Sequence, residues 1–342
     1  MRGASVAARS SHGDPAPGIG RGAPRAIGLS AVIVAATTHA PRVLTIRHAA
    51  PGREPIEALP SGPLEAEHRT LEIGLRTWVE RQTSERLGYV EQLYTFGDRD
   101  RVAAETALGA PGFVVAYLAL VREAAPAGGA DAVWQSWYRF FPWEDWRDGR
   151  PPHLAVLEQG LARWTEAAPS EGQRRLREER VGLAFGLHGA DWNEELALER
   201  YELLYEAGLV VEAVRDLERP SGGEDAPSGV AMAVDHRRIM ATAIGRLRGK
   251  IKYRPVVFEL MPPSFTLLQL QRTVEALSGV RLHKQNFRRL VEQQGLVEET
   301  GAMTAATGGR PARLVRFRRE VLLERPASGL RLRAGRRAVA NS

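Results

Sequence analysis

The sequence predicts an α+β chain made of two unlike parts, on three observations. Apolar, β-branched runs suited to strands come first, helix-period patterns follow, and the end of the chain returns to period-two alternation. The two parts also differ in charge. From Asp235 onward there are 22 Lys and Arg against 8 Asp and Glu, a balance of +14. The residues before it hold 25 against 33, a balance of −8. Such asymmetry directs the basic part toward a polyanion.

A chain of 342 residues is long enough for two domains, and 44% apolar with 26% charged residues is ordinary for a globular protein. The most apolar stretch, Ala26 to Ala36, is interrupted by Gly28 and Ser30 and is far short of the ~18 residues of a membrane-spanning helix. With no cysteine, disulfides, cysteine-ligated zinc and thiol catalysis are excluded. A cytoplasmic location is expected. Residues 1–25 hold arginines and small residues without the apolar region of a secretory signal, and are read as a disordered leader.

A first domain is expected over 26–150. Ala26 to Ala36 and Arg42 to Arg47 form a hairpin across the turn Thr37 to Pro41, and Leu71, Leu75, Trp78 and Val79 mark a helix over 71–86. Gly112 to Val121 is a further apolar strand, followed by an aromatic cluster from Trp134 to Trp146 that reads as core. Residues 151–220 are a helical insertion, with Leu154, Leu157, Leu161, Leu203 and Leu204 at helical spacing. SGGEDAPS, within 221–234, reads as a linker. The histidines show no metal-ligand spacing, and His188 and His236 read as surface or capping residues.

A second domain is expected over 235–325, before a disordered basic tail at 326–342. Its first helix, from Asp235 to Lys252, is rich in basic residues and suits either phosphate contact or a connection between domains. Thr266 caps a helix with Leu267, Leu270, Val274 and Leu277 in one stripe, ended by Gly279. A second helix starts near His283 and buries Phe287, Leu290 and Val291. At about 100° per residue this turns Gln285, Arg288, Arg289 and Glu292 outward, with Lys284 beside them. Gln bonds adenine and Arg bonds guanine in bidentate fashion, so this is the pattern of a helix-turn-helix. After Gly295, Leu296 to Glu298 and Ala312 to Arg318 pair as a wing around a loop carrying Gly301, Gly308, Gly309 and Pro311. Val315 and Phe317 lie on one side and Arg316 and Arg318 on the other, with Arg310 and Arg313 nearest the tip.

The run DHRRIMATAIGRLRGKIKYRPVVFELMPPSFTLLQLQRTVEALSG, then HKQNFRRLV and GRPARLVRF, resembles the Nudix-related transcriptional regulators of NAD metabolism, in particular their alphaproteobacterial branch. The resemblance covers about 80 residues. YVEQLYTFGDRDR with VVAYLALV is similar to Nudix proteins of the ADP-ribose group. The resemblance implies a fold class of α+β: a Nudix-like α/β/α sandwich with a helical insertion, followed by a winged helix-turn-helix domain. It implies a homodimer that represses NAD biosynthesis or salvage genes on a double-stranded DNA operator, under an adenine-nucleotide effector such as ADP-ribose, NAD or ATP. Tyr94, Phe96 and Asp98, with Arg47, are the implied ligand-binding residues. Core strand and turn is the other reading of the first three.

A working Nudix box, G-x5-E-x7-R-E-U-x-E-E-x-G-U, converges glutamates on a magnesium ion. Aligned from Gly62, this chain has His68 at the first glutamate, Arg76-Thr77-Trp78-Val79-Glu80-Arg81 at R-E-U-x-E-E, and Thr83 at the glycine. Only Glu80 remains, beside a cation, so no catalytic residue, metal ligand or required cofactor is expected. Glu65, Glu67, Glu72 and Glu85 are the carboxylates that could substitute from shifted positions. The alternatives are an active ADP-ribose pyrophosphatase with a basic accessory domain, and a nucleic-acid binder without sequence preference.

Overall fold

The computed structural model describes residues 27–48, 55–97, 113–122, 132–216, 228–305 and 311–321. The expected leader, the tail, residues 221–227 of the linker, Asp98 and Arg310 lie outside them.

The fold is built around a strand buried on both faces. β1 (Ile27–Ala36) is buried from Gly28 to Ala35. Successive side chains point to opposite faces, so Leu29, Ala31, Ile33 and Ala35 enter one core and Val32 and Val34 another. β1 runs antiparallel to β2 (Pro41–His48), the predicted hairpin. β2 also pairs with β3 (Ile56–Ala58), and β1 with β4 (Ser61–Pro63). α1 (Leu71–Thr83) follows, capped by Thr70 Oγ1 accepting the Ile73 N–H at 3.1 Å and ended by Ser84 at φ 58°. It ends three residues earlier than the periodicity suggests. Leu75 and Val79 bury it against the first face of the sheet.

β5 (Tyr89–Phe96) forms an edge on β6 (Phe113–Leu120), and β6 lies parallel to β1, so the strand order is β3-β2-β1-β6-β5. β7 (Ala132–Ser136) joins through β2 and completes seven strands. β3, β4 and β7 were absent from the expectation because none exceeds five residues, too short for alternation to show. β7 leads into two 3-10 turns, Trp137–Arg139 and Pro142–Glu144. The predicted core tryptophans Trp137 and Trp143 lie here, fully buried.

The expected helical insertion is α2 (His153–Glu166), α3 (Glu171–Phe185), α4 (Ala197–Glu206) and α5 (Val211–Asp216). α6 (His236–Tyr253) then lies on β1, β5 and β6 across the second face, giving an α/β/α sandwich. Phosphate contact by this whole helix does not hold, because Arg237 and Arg248 are no more than 2% exposed. Arg237 donates to Glu212 at 3.0 Å and to the Phe140 carbonyl. His236 is half-buried and its Nδ1 accepts the Leu59 N–H at 3.0 Å, closer to the capping reading than to a surface one.

After a 3-10 turn at Val256–Leu260 come α7 (Leu267–Ser278), α8 (Lys284–Gln293) and a hairpin of β8 (Val297–Thr304) and β9 (Ala312–Phe317). This is a winged helix. β8 runs through Gly301, which the sequence placed in the loop. A bulge between Glu299 and Met303 accommodates it, with Gly301 at φ 78°, a conformation glycine adopts without strain. α7 packs on β1 and β2, and one continuous core runs from Val32 and Leu118 through Trp143, Tyr201 and Leu247 to Val274, Phe287 and Val315. The winged helix is thus fused to the sheet domain by shared apolar packing. No helix among the described residues is long and apolar enough to cross a membrane.

At the centre of this core Glu144 meets Arg200 of α4 at 2.6 and 2.9 Å and Arg248 of α6. All three are essentially inaccessible to solvent. Burial by itself raises the Glu144 pKa, but the two guanidiniums hold it below its ordinary value of 4.5. A depressed folded-state pKa contributes stability that is present above the unfolded value and is lost as pH falls through the lower folded one. Glu144→Gln strands two buried cations and should cost about 3–5 kcal/mol in chemical denaturation at neutral pH. The variant's stability should also fall less steeply than that of the parent below pH 4.5.

Candidate nucleic-acid interface

α7 begins in a capping box: Thr266 Oγ1 accepts the Gln269 N–H at 3.1 Å, and Gln269 Oε1 accepts the Thr266 N–H at 2.7 Å. It ends at Gly279, φ 77°, where a Cβ would stand 2.3 Å from the Glu144 carbonyl oxygen. Only glycine permits both the left-handed turn and that approach.

The turn into α8 is braced from inside. Glu275 Oε1 accepts the Leu282 N–H at 3.0 Å and a Gln271 amide N–H at 2.9 Å, and Gln271 also donates to the Leu282 carbonyl at 3.0 Å. Both residues are buried. Outside α7, Tyr138 Oη donates to the Ala276 carbonyl at 2.7 Å, Arg248 Nε to that of Leu277 at 3.0 Å, and the Trp146 N–H to that of Gly279 at 2.8 Å. These groups satisfy carbonyls that a helix C-terminus leaves without partners, and a cation suits that end of the helix dipole.

α8 buries Phe287 and Val291 and exposes Lys284, Gln285, Arg288, Arg289 and Glu292, the face that the helical spacing predicts. Leu290 is only half-buried. Lys284, Gln285, Arg288 and Arg289 have no hydrogen-bond or ion-pair partner among the described residues. The wing arginines differ. Arg313 pairs with Glu299 at 2.5 Å, and Arg316 with Glu298 at 2.6 Å directly across the hairpin. Phe265 exchanges backbone hydrogen bonds of 2.9 and 2.8 Å with Val315, and Phe317 stacks on Phe258 with ring centroids 4.3 Å apart, fixing the base of the wing.

Of the expected ligand residues that are described, Tyr94 and Phe96 adjoin on β5 and Arg47 stands apart on β2. Phe96 is core, 3% exposed, with the Arg238 guanidinium 5.3 Å from its ring centroid. Tyr94 stands 60% exposed on β5, edge-on to Phe96 at 5.4 Å. Arg47 is exposed on β2, separated from β5 by β1 and β6. On α1 each remaining carboxylate faces an arginine: Glu72 meets Arg76 at 2.8 Å, and Glu80 meets Arg86 at 3.1 Å. Glu65 lies 3.6 Å from both Arg81 and His68. Trp78 donates to the Pro63 carbonyl at 2.8 Å and fills the space over Gly62, where a Cβ would come within 2.2 Å of its ring. Among the described residues no three His, Cys, Asp or Glu side chains come together as a metal site.

Sequence reasoning missed Tyr138, Glu275 and Arg281. Arg281 reaches from the turn to Asp148 at 2.9 Å and to the Arg147 carbonyl at 3.2 Å. The partners of Tyr138 and the Arg147 and Asp148 partners of Arg281 are distant in the chain, so no local pattern marks them, whereas Glu275 bonds Gln271 and Leu282, four and seven residues away.

Residues 257–317 match the family described as NrtR DNA-binding winged helix domain. Over 86 residues the chain is 43% identical to the ADPR responsive transcriptional repressor NtrR of Acinetobacter baylyi. That match takes in 25% of this chain and only 34% of the repressor. The whole structure is similar to Shewanella oneidensis NrtR, solved with a 27mer DNA: TM-score 0.53, 20% identity, covering 89% of this chain and 98% of that one. A MutT/nudix family protein from Enterococcus faecalis matches with TM-score 0.51 and 16% identity, over 86% and 89% of the two chains. The fold is therefore a Nudix-like domain joined to a winged helix of the NrtR type, the group that the sequence resemblance names.

The different settings of the two aromatic residues on β5 have a measurable consequence. Phe96→Ala should lower unfolding free energy by about 3–5 kcal/mol, and Tyr94→Ala should stay within about 0.5 kcal/mol of the parent in denaturant titration.

Proposed function

We propose that this chain is a DNA-binding transcriptional regulator, acting as a repressor of NAD biosynthesis or salvage genes. Its Nudix-like domain binds an adenine nucleotide such as ADP-ribose, NAD or ATP. The observation that carries the reading is the exposed face of α8. Four polar and basic side chains have no intramolecular partner among the described residues, on a helix whose other face is locked into the core. Such a face meets base edges in a major groove. The NrtR-type match over 257–317 supports the same use.

The sheet domain is a sensor in this reading and not a hydrolase, because the carboxylates left on α1 are engaged by arginines. Lys284, Gln285, Arg288 and Arg289 face the bases, and Arg310, Arg313 and Arg316 the backbone. Arg47, Tyr94 and Asp98 border the nucleotide, with Phe96 supporting the strand beneath. A homodimer in the cytoplasm places two such helices on half-sites one duplex turn apart. An effector then acts by its differential affinity for the DNA-competent arrangement.

The test is a titration of the full chain against its upstream duplex and a scrambled duplex at fixed salt, with ADP-ribose, NAD and ATP in turn. Selective binding altered by one nucleotide is expected, and indifference to both sequence and nucleotide overturns the reading. Arg289→Ala should weaken operator binding by about 1–3 kcal/mol while leaving the scrambled duplex nearly unaffected. Incubation of the same preparation with ADP-ribose and magnesium should yield no cleavage products.

A further inference from the structure

We infer that Tyr138 is a specificity-determining positioning residue, setting the recognition helix from the sheet domain without itself touching DNA. The inference rests on the DNA-binding reading and assigns it a residue that lies far outside the winged helix in sequence. Tyr138 sits in the segment that links β7 to the helices, in the 3-10 turn Trp137–Arg139. β7 is hydrogen-bonded to β2, so the segment is anchored in the sheet.

From that anchor it reaches the turn before α8 at three levels. Tyr138 Oη donates to the Ala276 carbonyl at 2.7 Å, the Trp146 N–H to the Gly279 carbonyl at 2.8 Å, and Asp148 accepts from Arg281 at 2.9 Å. The first two acceptors belong to the last turn of α7 and its cap, where no intrahelical donor remains. The phenol is buried, its ring edge-on to Trp137 at 6.0 Å and covered by the Arg147 guanidinium at 5.3 Å. Its hydroxyl proton is held by the Ala276 carbonyl, beside the buried Arg248 guanidinium.

Gly279 to His283 is all that separates this anchor from the first turn of α8. A small rotation about the turn is amplified along the helix. Base contacts by Gln285, Arg288 and Arg289 depend on that angle, because bidentate pairing tolerates little misplacement. Phosphate contacts do not, since long flexible side chains still find the backbone. Loss of the Tyr138 bond should therefore erode discrimination between sequences and leave the sequence-independent component unchanged.

The experiment compares the parent with Tyr138→Phe and Arg281→Gln, each titrated against the upstream duplex and a scrambled duplex at one salt concentration, with thermal midpoints recorded. Tyr138→Phe keeps the ring and removes one hydroxyl. The expected result is a fall of roughly three- to tenfold in the ratio of upstream to scrambled affinity, the scrambled value unchanged. Arg281→Gln breaks the exposed pair with Asp148 and a longer one with Glu275 at 3.3 Å, and should lower the ratio by less. A merely structural role would reduce the midpoint and active fraction, moving both affinities together and leaving the ratio intact. A parent that discriminates while Tyr138→Phe keeps the full ratio overturns this inference alone. A parent that fails to discriminate overturns the DNA-binding reading and the inference with it.

Discussion

The carboxylate of Glu144 organises the interior of this protein. It is held between Arg200 and Arg248, and none of the three reaches solvent. An isolated buried charge of this kind is too costly to persist, and the group is tolerable only because every donor finds an acceptor. Arg200 completes its hydrogen bonds on the Ala184 and Asn193 carbonyls, and Arg248 on those of Glu194 and Leu277. Those acceptors belong to the end of α3, the loop before α4 and the end of α7. One carboxylate thus dictates how the insertion, the spine helix and the winged helix meet. Apolar packing would accept several registers there, and the directional bonds accept one.

That constraint changes what the helical insertion is. Its aromatic and aliphatic residues share a core with the second face of the sheet, and Tyr201 and Leu204 belong to the cluster that includes Phe287 and Val315. α2 to α5 therefore form part of the wall between the sheet domain and the winged helix. Arg237 repeats the device at the other end of α6, joining Glu212 on α5 to the Phe140 carbonyl with its guanidinium about equally far from the Phe141 and Trp143 rings. Both ends of α6 are thus tied by directional bonds, to α5 and the Phe140 carbonyl at one and to α7 at the other.

Much of the fold was legible because it is written in short-range periodicity. β6 shows its double burial as an unbroken apolar run and β1 as one interrupted only by Gly28 and Ser30, and α7 and α8 show caps, stripes and an outward polar face. The exposed set on α8 follows from helical geometry alone. What stayed hidden depends on long-range partners. Arg237 and Arg248 look like phosphate ligands in a basic helix, and only the fold supplies Glu212 and Glu144 to pair with them. Phe96 belongs to a motif that suggests a pocket, yet the edge position of β5 leaves the outward aromatic role to Tyr94. β3, β4 and β7 are too short for any pattern to declare itself.

The same distinction limits what the basic surplus after Asp235 can do for DNA. Arg237 and Arg248 are buried, and Lys252 is taken by Glu194 and Glu195 at 2.8 and 2.6 Å. Arg313 and Arg316 face Glu299 and Glu298 across the wing. For those two, a phosphate must displace a carboxylate that is already in place, and the displaced glutamate then faces the polyanion as a like charge. Each such exchange returns less than a free arginine would, because the new attraction is offset by the old one lost. The cations of α8 carry no such penalty. Of these cations, Lys284, Arg288 and Arg289 stand together on one exposed helix face with no partner among the described residues, on the element that follows the hydrogen bonds at the end of α7.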